Sequence, residues 1–124
     1  MSHETSARMR KVNELVREIV ADEVTELKDP GLGFVTVTAV DTAPDLRHAI
    51  VYYSVLGSEE VAASTAEALG RAHSRLQRAI GRQARLKFTP VLEFRPDDAV
   101  ARGIRINELL AGLDAAPDGN EEAM

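Results

Sequence analysis

Five arginines, Arg71, Arg75, Arg78, Arg82 and Arg85, recur at intervals of four, three, four and three residues. That spacing stacks side chains along one face of a helix. With Lys87 they form the most basic segment of the chain. Guanidinium forks so arranged suit one kind of chemistry, the grip of phosphate or carboxylate oxygens by charge-assisted hydrogen bonds. No Asp or Glu occurs from Ala68 to Leu92, although the whole chain has a formal net charge of -5. Like charges at i, i+4 cost a few tenths of a kcal/mol per pair, so helix stability alone would interleave glutamates here. A polyanionic partner is the simplest account of the segregation, with a merely solvated face as the alternative.

A second basic group, Arg8, Arg10 and Lys11, opens the first helical stretch and is partly balanced by Glu14 and Glu18. Other chemistry is sparse. The chain has no cysteine, which removes disulfides, thiol catalysis and thiolate metal sites. It has no HExxH, no phosphate-gripping glycine loop and no cluster of carboxylates or histidines suited to acid–base work. No catalytic residue, metal, cofactor or small-molecule substrate is therefore expected. Asp97 and Asp98 read as the cap of a helix from Ala99 to Leu110 rather than as metal ligands. His73 reads as a helix-surface histidine. Aromatic residues are only 4%, which disfavours single-strand recognition by base stacking.

The elements that position these residues follow from hydropathy period. Val12, Leu15, Val16, Ile19, Val20, Glu23 and Leu27 trace a helical stripe, so the first helix is expected over about Ser6 to Leu27. Lys28, Asp29, Pro30, Gly31, Leu32 and Gly33 stop it. Phe34 to Thr42 reads as a strand with Val35, Val37 and Ala39 alternating against Thr36, Thr38 and Val40. The turn Ala43, Pro44, Asp45 and Leu46 leads to a second strand, Arg47 to Val55, in an antiparallel hairpin. Its Tyr52 and Tyr53 point to opposite faces. Gly57 and Ser58 end that strand and cap a helical region reaching about Ala84, with Leu69, Ala72, Leu76, Ala79, Ile80 and Gln83 opposite the arginines. Its length, some 27 residues, calls for a break. Leu86 to Arg95 is the third strand, with Pro90 marking an edge or bulge.

Helix, strand, strand, helix, helix, strand describes an α+β domain with three helices on one face of a three-stranded sheet. The order is that of a type II KH domain. KH domains grip single-stranded nucleic acid with a GXXG loop between the central helices, yet no Gly-X-X-Gly occurs in this chain. Residues 1–5 are expected to be a flexible N-terminus, 6–110 the KH-like domain and 111–124 a disordered acidic tail. The tail carries Asp114, Asp118, Glu121 and Glu122 without a compensating cation.

From Arg8 to Leu110 the chain resembles ribosome-binding factor A, a bacterial assembly factor of the small ribosomal subunit. The marks are the basic opening Arg8, Arg10, Lys11 and Val12, the Lys28-Asp29-Pro30 turn with Gly33, and Asp45-Leu46 before Ala49-Ile50-Val51-Tyr52. Pro90, Leu92, Phe94 and Asp98 then precede Gly103, Ile106, Leu109 and Leu110. In that family an Ala-X-Gly kink between two helices replaces the KH loop. Ala72, His73 and Ser74 occupy its place here, with Ser where Gly is usual; Ala79, Ile80 and Gly81 are the alternative register. Gly31 stands where the family often has Arg.

The resemblance implies an rRNA-binding domain without catalytic activity. Its partners would be the free 30S subunit and the 5′-terminal helix region of 16S rRNA, and its roles late 30S maturation, 5′-end processing and growth in the cold. Arg75→Glu with Arg82→Glu is expected to abolish subunit binding and spare the fold. The other reading of the residues is a protein-interaction module whose basic helix face meets an acidic protein. A monomer is expected. No apolar run approaches the roughly 20 residues of a membrane span, and a signal-peptide apolar region is lacking, so a cytoplasmic protein without membrane partners is expected.

Overall fold

The computed structural model describes residues 6–97. The helix expected at Ala99–Leu110, the N-terminal five residues and the acidic tail lie outside them. Six elements follow in the order α1 (Ala7–Thr25), β1 (Phe34–Thr42), β2 (His48–Leu56), α2 (Glu59–Arg71), α3 (His73–Gln83) and β3 (Val91–Pro96). The sheet order is β1-β2-β3, antiparallel between β1 and β2 and parallel between β2 and β3. The α+β architecture expected from sequence is present.

Helices α1 and α2 begin where a serine side chain supplies a missing acceptor, whereas α3 starts at Ala72 without a side-chain cap. Ser6 Oγ accepts from Met9 N–H at the start of α1, and Ser58 Oγ accepts from Val61 N–H at the start of α2, where Glu59 and Glu60 meet the positive helix end. The buried stripe of α1, Val12, Val16, Ile19, Val20 and Val24, packs with Leu69 of α2 and Leu76, Ala79 and Ile80 of α3 over Val37, Val40, Val51, Tyr53 and Leu92 of the sheet. Burial raises the Tyr53 phenol above its ordinary range. Tyr52 lies on the other face.

Two local readings of the strands are corrected. The alternation expected along β1 breaks at a bulge between Val37 and Ala39. The extra residue shifts the phase, so Val40 and Thr42 rather than Ala39 face the core. Thr38 thus stays outside, where its hydroxyl donates to Asp97 Oδ2 at 2.5 Å. The third strand starts at Val91, five residues later than Leu86. Arg85, with φ of 52°, turns the chain left-handed just after α3, and the buried Pro90 has no N–H to give a ladder. Residues 85–90 therefore form a loop rather than the start of a strand.

The outer edge of β3 is closed by side chains of α3. Gln77 Nε2 donates to Pro90 O at 3.1 Å and its Oε1 accepts from Leu92 N–H at 2.6 Å. His73 Nε2 donates to Leu92 O at 2.9 Å, its ring edge-on to Phe94. His73 is half-buried in this role, where sequence suggested a surface position.

Behind the Lys28-Asp29-Pro30 turn the backbone lies tight against α2. Gly33 N–H donates to Thr65 Oγ1 at 2.9 Å, and a Cβ on Gly33 would lie 2.6 Å from Val61 Cγ1 and 3.1 Å from Thr65 Oγ1. Gly33→Ala is expected to destabilise the domain by about 1–3 kcal/mol. A urea midpoint unchanged from the parent would refute that packing.

Candidate nucleic-acid interface

The helix break that sets the basic surface falls at Ala72, which ends α2 and starts α3. Ala79 lies within α3 and is buried. The break is one residue long. Ala72 N–H reaches Ala68 O at 3.0 Å and Leu69 O at 3.1 Å, while Ala72 O accepts from Leu76 N–H at 3.0 Å. His73 and Ser74 are the first two residues of α3 rather than a loop.

The five arginines are accordingly split. Arg71 belongs to α2, Arg75, Arg78 and Arg82 to α3, and Arg85 to the loop beyond it. All five side chains are on the surface, but their electrostatic surroundings differ. Arg71 forks onto Asp29, with Nε to Oδ2 at 2.8 Å and Nη2 to Oδ1 at 3.0 Å. Glu23 of α1 accepts from Arg75 Nε at 3.1 Å and lies 3.9 Å from Arg82 Nη2. The acids missing between Ala68 and Leu92 are thus supplied from the first helix and the turn after it. No spacing rule could expose these pairs, because Arg75 and Glu23 are 52 residues apart.

Arg78, Arg85 and Lys87 have no carboxylate within ion-pair reach among the described residues. Arg75 and Arg82 keep 45% and 62% of their side-chain surface exposed, so Glu23 orients them without removing their outward N–H groups. The result is a positive face running from the middle of α3 into the 85–90 loop. Arg8, Arg10 and Lys11 are exposed near the start of α1. Lys11 is twelve residues from Glu23, about 18 Å along the helix axis, so the two basic groups are separate footprints.

Between the turn after α1 and the helix break lies a cleft of about 540 Å³ lined by Leu27, Lys28, Asp29, Pro30, Arg71, Ala72 and Arg75. The Arg71–Asp29 fork joins its two sides. Arg71, and secondly Gly31 N–H at 2.9 Å, hold the Asp29 carboxyl below the usual carboxylate range, and the same contact raises the Arg71 guanidinium. A carboxyl lowered in the folded state adds stability above its unfolded pKa and loses it as pH falls through the folded value. Asp29→Asn should therefore cost a small amount of stability at neutral pH. Parent and variant should converge as pH drops below about 4. Urea midpoints measured from neutral pH downward would check this; a gap that stays constant with pH would refute it.

Among the described residues no group of three His, Cys, Asp or Glu side chains could hold a metal ion. No described helix is long and apolar enough to cross a membrane. Asp97 accepts from Thr38 and donates its N–H to Tyr53 O at 2.6 Å, which ties the end of β3 to the sheet.

A family model for ribosome-binding factor A matches residues 8–110. The chain belongs to the ribosome-binding factor A family. That family comprises non-catalytic ribosome assembly factors. The chain is 42% identical over 108 residues to ribosome-binding factor A of Geobacter sulfurreducens, covering 86% of this chain and 92% of the relative. With that of Rubrobacter xylanophilus it shares 44% identity over 122 residues, 95% of this chain and 99% of the relative. The crystal structure of ribosome-binding factor A from Thermus thermophilus superposes with a TM-score of 0.64 at 33% identity, over 71% of this chain and 94% of that one. A Thermus thermophilus homology model fitted into a cryo-EM map of a 30S complex matches with a TM-score of 0.56 at 37% identity, over 68% and 89% of the two chains. The KH-like element order is therefore shared with solved structures of the family.

Proposed function

We propose that this protein binds the free small ribosomal subunit through 16S rRNA and assists its late maturation, including processing of the 5′ end. The observation that carries the reading is the charge balance of the α3 face and the loop after it, where among the described residues Arg78, Arg85 and Lys87 have no carboxylate in ion-pair reach and Arg75 and Arg82 share one. In a chain of this family, a relative of which is fitted into a 30S complex, rRNA is the polyanion such a face fits. RNA helices are recognised largely through shape and backbone, and arginine forks meet phosphate oxygens in pairs. The Arg8, Arg10 and Lys11 group forms a second footprint on the same subunit.

Binding by this face is electrostatic, so it should weaken steeply with salt, by about 0.7 to 0.9 in log–log slope for each phosphate neutralised. Cosedimentation with isolated small subunits, large subunits and whole ribosomes across a salt titration tests the proposal. Retention by small subunits alone, falling with salt, is the expected result. Equal association with all three would reduce the face to nonspecific RNA adhesion. Capture by a partner that survives ribonuclease treatment would point to an acidic protein instead.

A further inference from the structure

Among the described residues the surface cations include one class seated against carboxylates and a second with no carboxylate in ion-pair reach. Arg17, Arg71, Arg75, Arg82 and Arg95 belong to the first class. Two members of the second, Arg47 and Lys87, converge on a single aromatic ring. The Arg47 guanidinium carbon lies 4.1 Å from the Phe88 ring centroid and Lys87 Nζ lies 5.5 Å from it. We propose that Arg47, Lys87 and the Phe88 ring form a phosphodiester-binding site that extends the rRNA face beyond the end of α3. The inference rests on the function proposed above and assigns a contact residue, Arg47, that lies outside the arginine series.

The site is a product of the parallel pairing of β2 with β3. Their first residues are in register, His48 opposite Val91, and Val91 N–H donates to Arg47 O at 2.9 Å. The entries of two strands far apart in sequence are thereby set side by side. Arg47 arrives from the hairpin turn, and Lys87 and Phe88 arrive from the loop that follows Arg85. Phe88 is half-buried against the core, which fixes the ring, while Arg47 and Lys87 are exposed.

Two positive charges held on one ring repel each other, and the negative face of the ring offsets only part of that cost. A structural use of the pair would place a carboxylate between them. The nearest acid in sequence, Asp45, instead accepts Arg47's own backbone N–H at 3.0 Å within the turn and forms no ion pair with its side chain. Among the described residues no carboxylate takes the position that an anion would fill, which leaves it to a ligand. A guanidinium resting on a ring keeps its N–H edge available for oxygen acceptors, and an ammonium beside it supplies a point charge. That combination suits a phosphate oxygen of an RNA backbone and carries no base preference. Arg85, two residues upstream of Lys87 and also without an ion-paired acid among the described residues, links the site to Arg78 and the rest of α3.

The test uses the full chain and isolated small subunits, with retention measured across a salt titration. Arg47→Gln and Lys87→Gln should each lower the log–log salt slope by about 0.7 to 0.9, and the double variant by about twice that. Arg47→Lys keeps the charge and should restore most of the slope, which a role in packing the turn alone would not require. Urea midpoints of the variants should match the parent. Should the double variant keep the parental slope while Arg78→Glu with Arg85→Glu loses retention, the site is overturned and the α3 reading stands. If Arg47→Lys loses as much slope as Arg47→Gln, charge is not what the site contributes and the proposal fails. Failure of the parent chain itself to bind small subunits overturns both readings.

Discussion

Arg78→Glu with Arg85→Glu is expected to lower affinity for small subunits on the order of 100-fold or more, with the circular dichroism spectrum and urea midpoint unchanged. Neither residue is paired with an acid among the described residues, so the substitution removes no internal contact. Each reversal replaces an attraction for phosphate with a repulsion, and like-charge juxtapositions in an interface cost several kcal/mol. The pair suggested by spacing alone, Arg75→Glu with Arg82→Glu, is a poorer test. Both new carboxylates would face Glu23, whose side chain is only 16% exposed. That variant should lose stability as well as binding. Retention by the Arg78 and Arg85 variant at parental affinity would remove α3 from the interface.

The second large effect is on the core that aims this face. Leu76 is fully buried under α3, one position from Arg75 and two from Arg78. Leu76→Ala should cost about 2–5 kcal/mol, a substantial share of what a domain of this size has in total. Because α3 packs on α1, loosening it should also free Glu23 from Arg75. Binding should then weaken in proportion to the unfolded fraction and recover when temperature is lowered. An unfolding free energy within about 0.5 kcal/mol of the parent would mean that α3 is not held by this side chain.

Much of the fold is legible from side-chain period. The stripe on α1, the Ser58 cap before two glutamates and the inward set Ala49, Val51 and Tyr53 are local patterns, and local patterns survive folding. The departures have non-local or backbone causes. Thr38 looks like any other strand threonine, yet it is the bulged residue that reverses the phase of β1. Leu86 to Pro90 has strand-like composition but follows a left-handed residue and ends in a proline. The candidate site divides in the same way. The arginine spacing picked out five surface side chains, but neither their division over α2, α3 and the loop beyond nor which of their charges are already answered. Glu23 and Asp29 reach Arg75 and Arg71 only through the packing of α1 and its turn against α2 and α3. Arg47 had no periodic partner at all, and only the strand pairing brings it to Lys87.

The one-residue break at Ala72 has a consequence for the thermodynamics of recognition. A glycine loop must be ordered when it closes on a ligand, at about 1–2 kcal/mol per residue of lost backbone freedom. Here the junction between α2 and α3 is already bonded in both directions, from Ala72 N–H to Ala68 and Leu69 and from Leu76 N–H to Ala72. No ordering remains to be done at the junction when a partner arrives. Its association should therefore carry the signature of rigid docking, with a small heat-capacity change and an entropy dominated by released counterions.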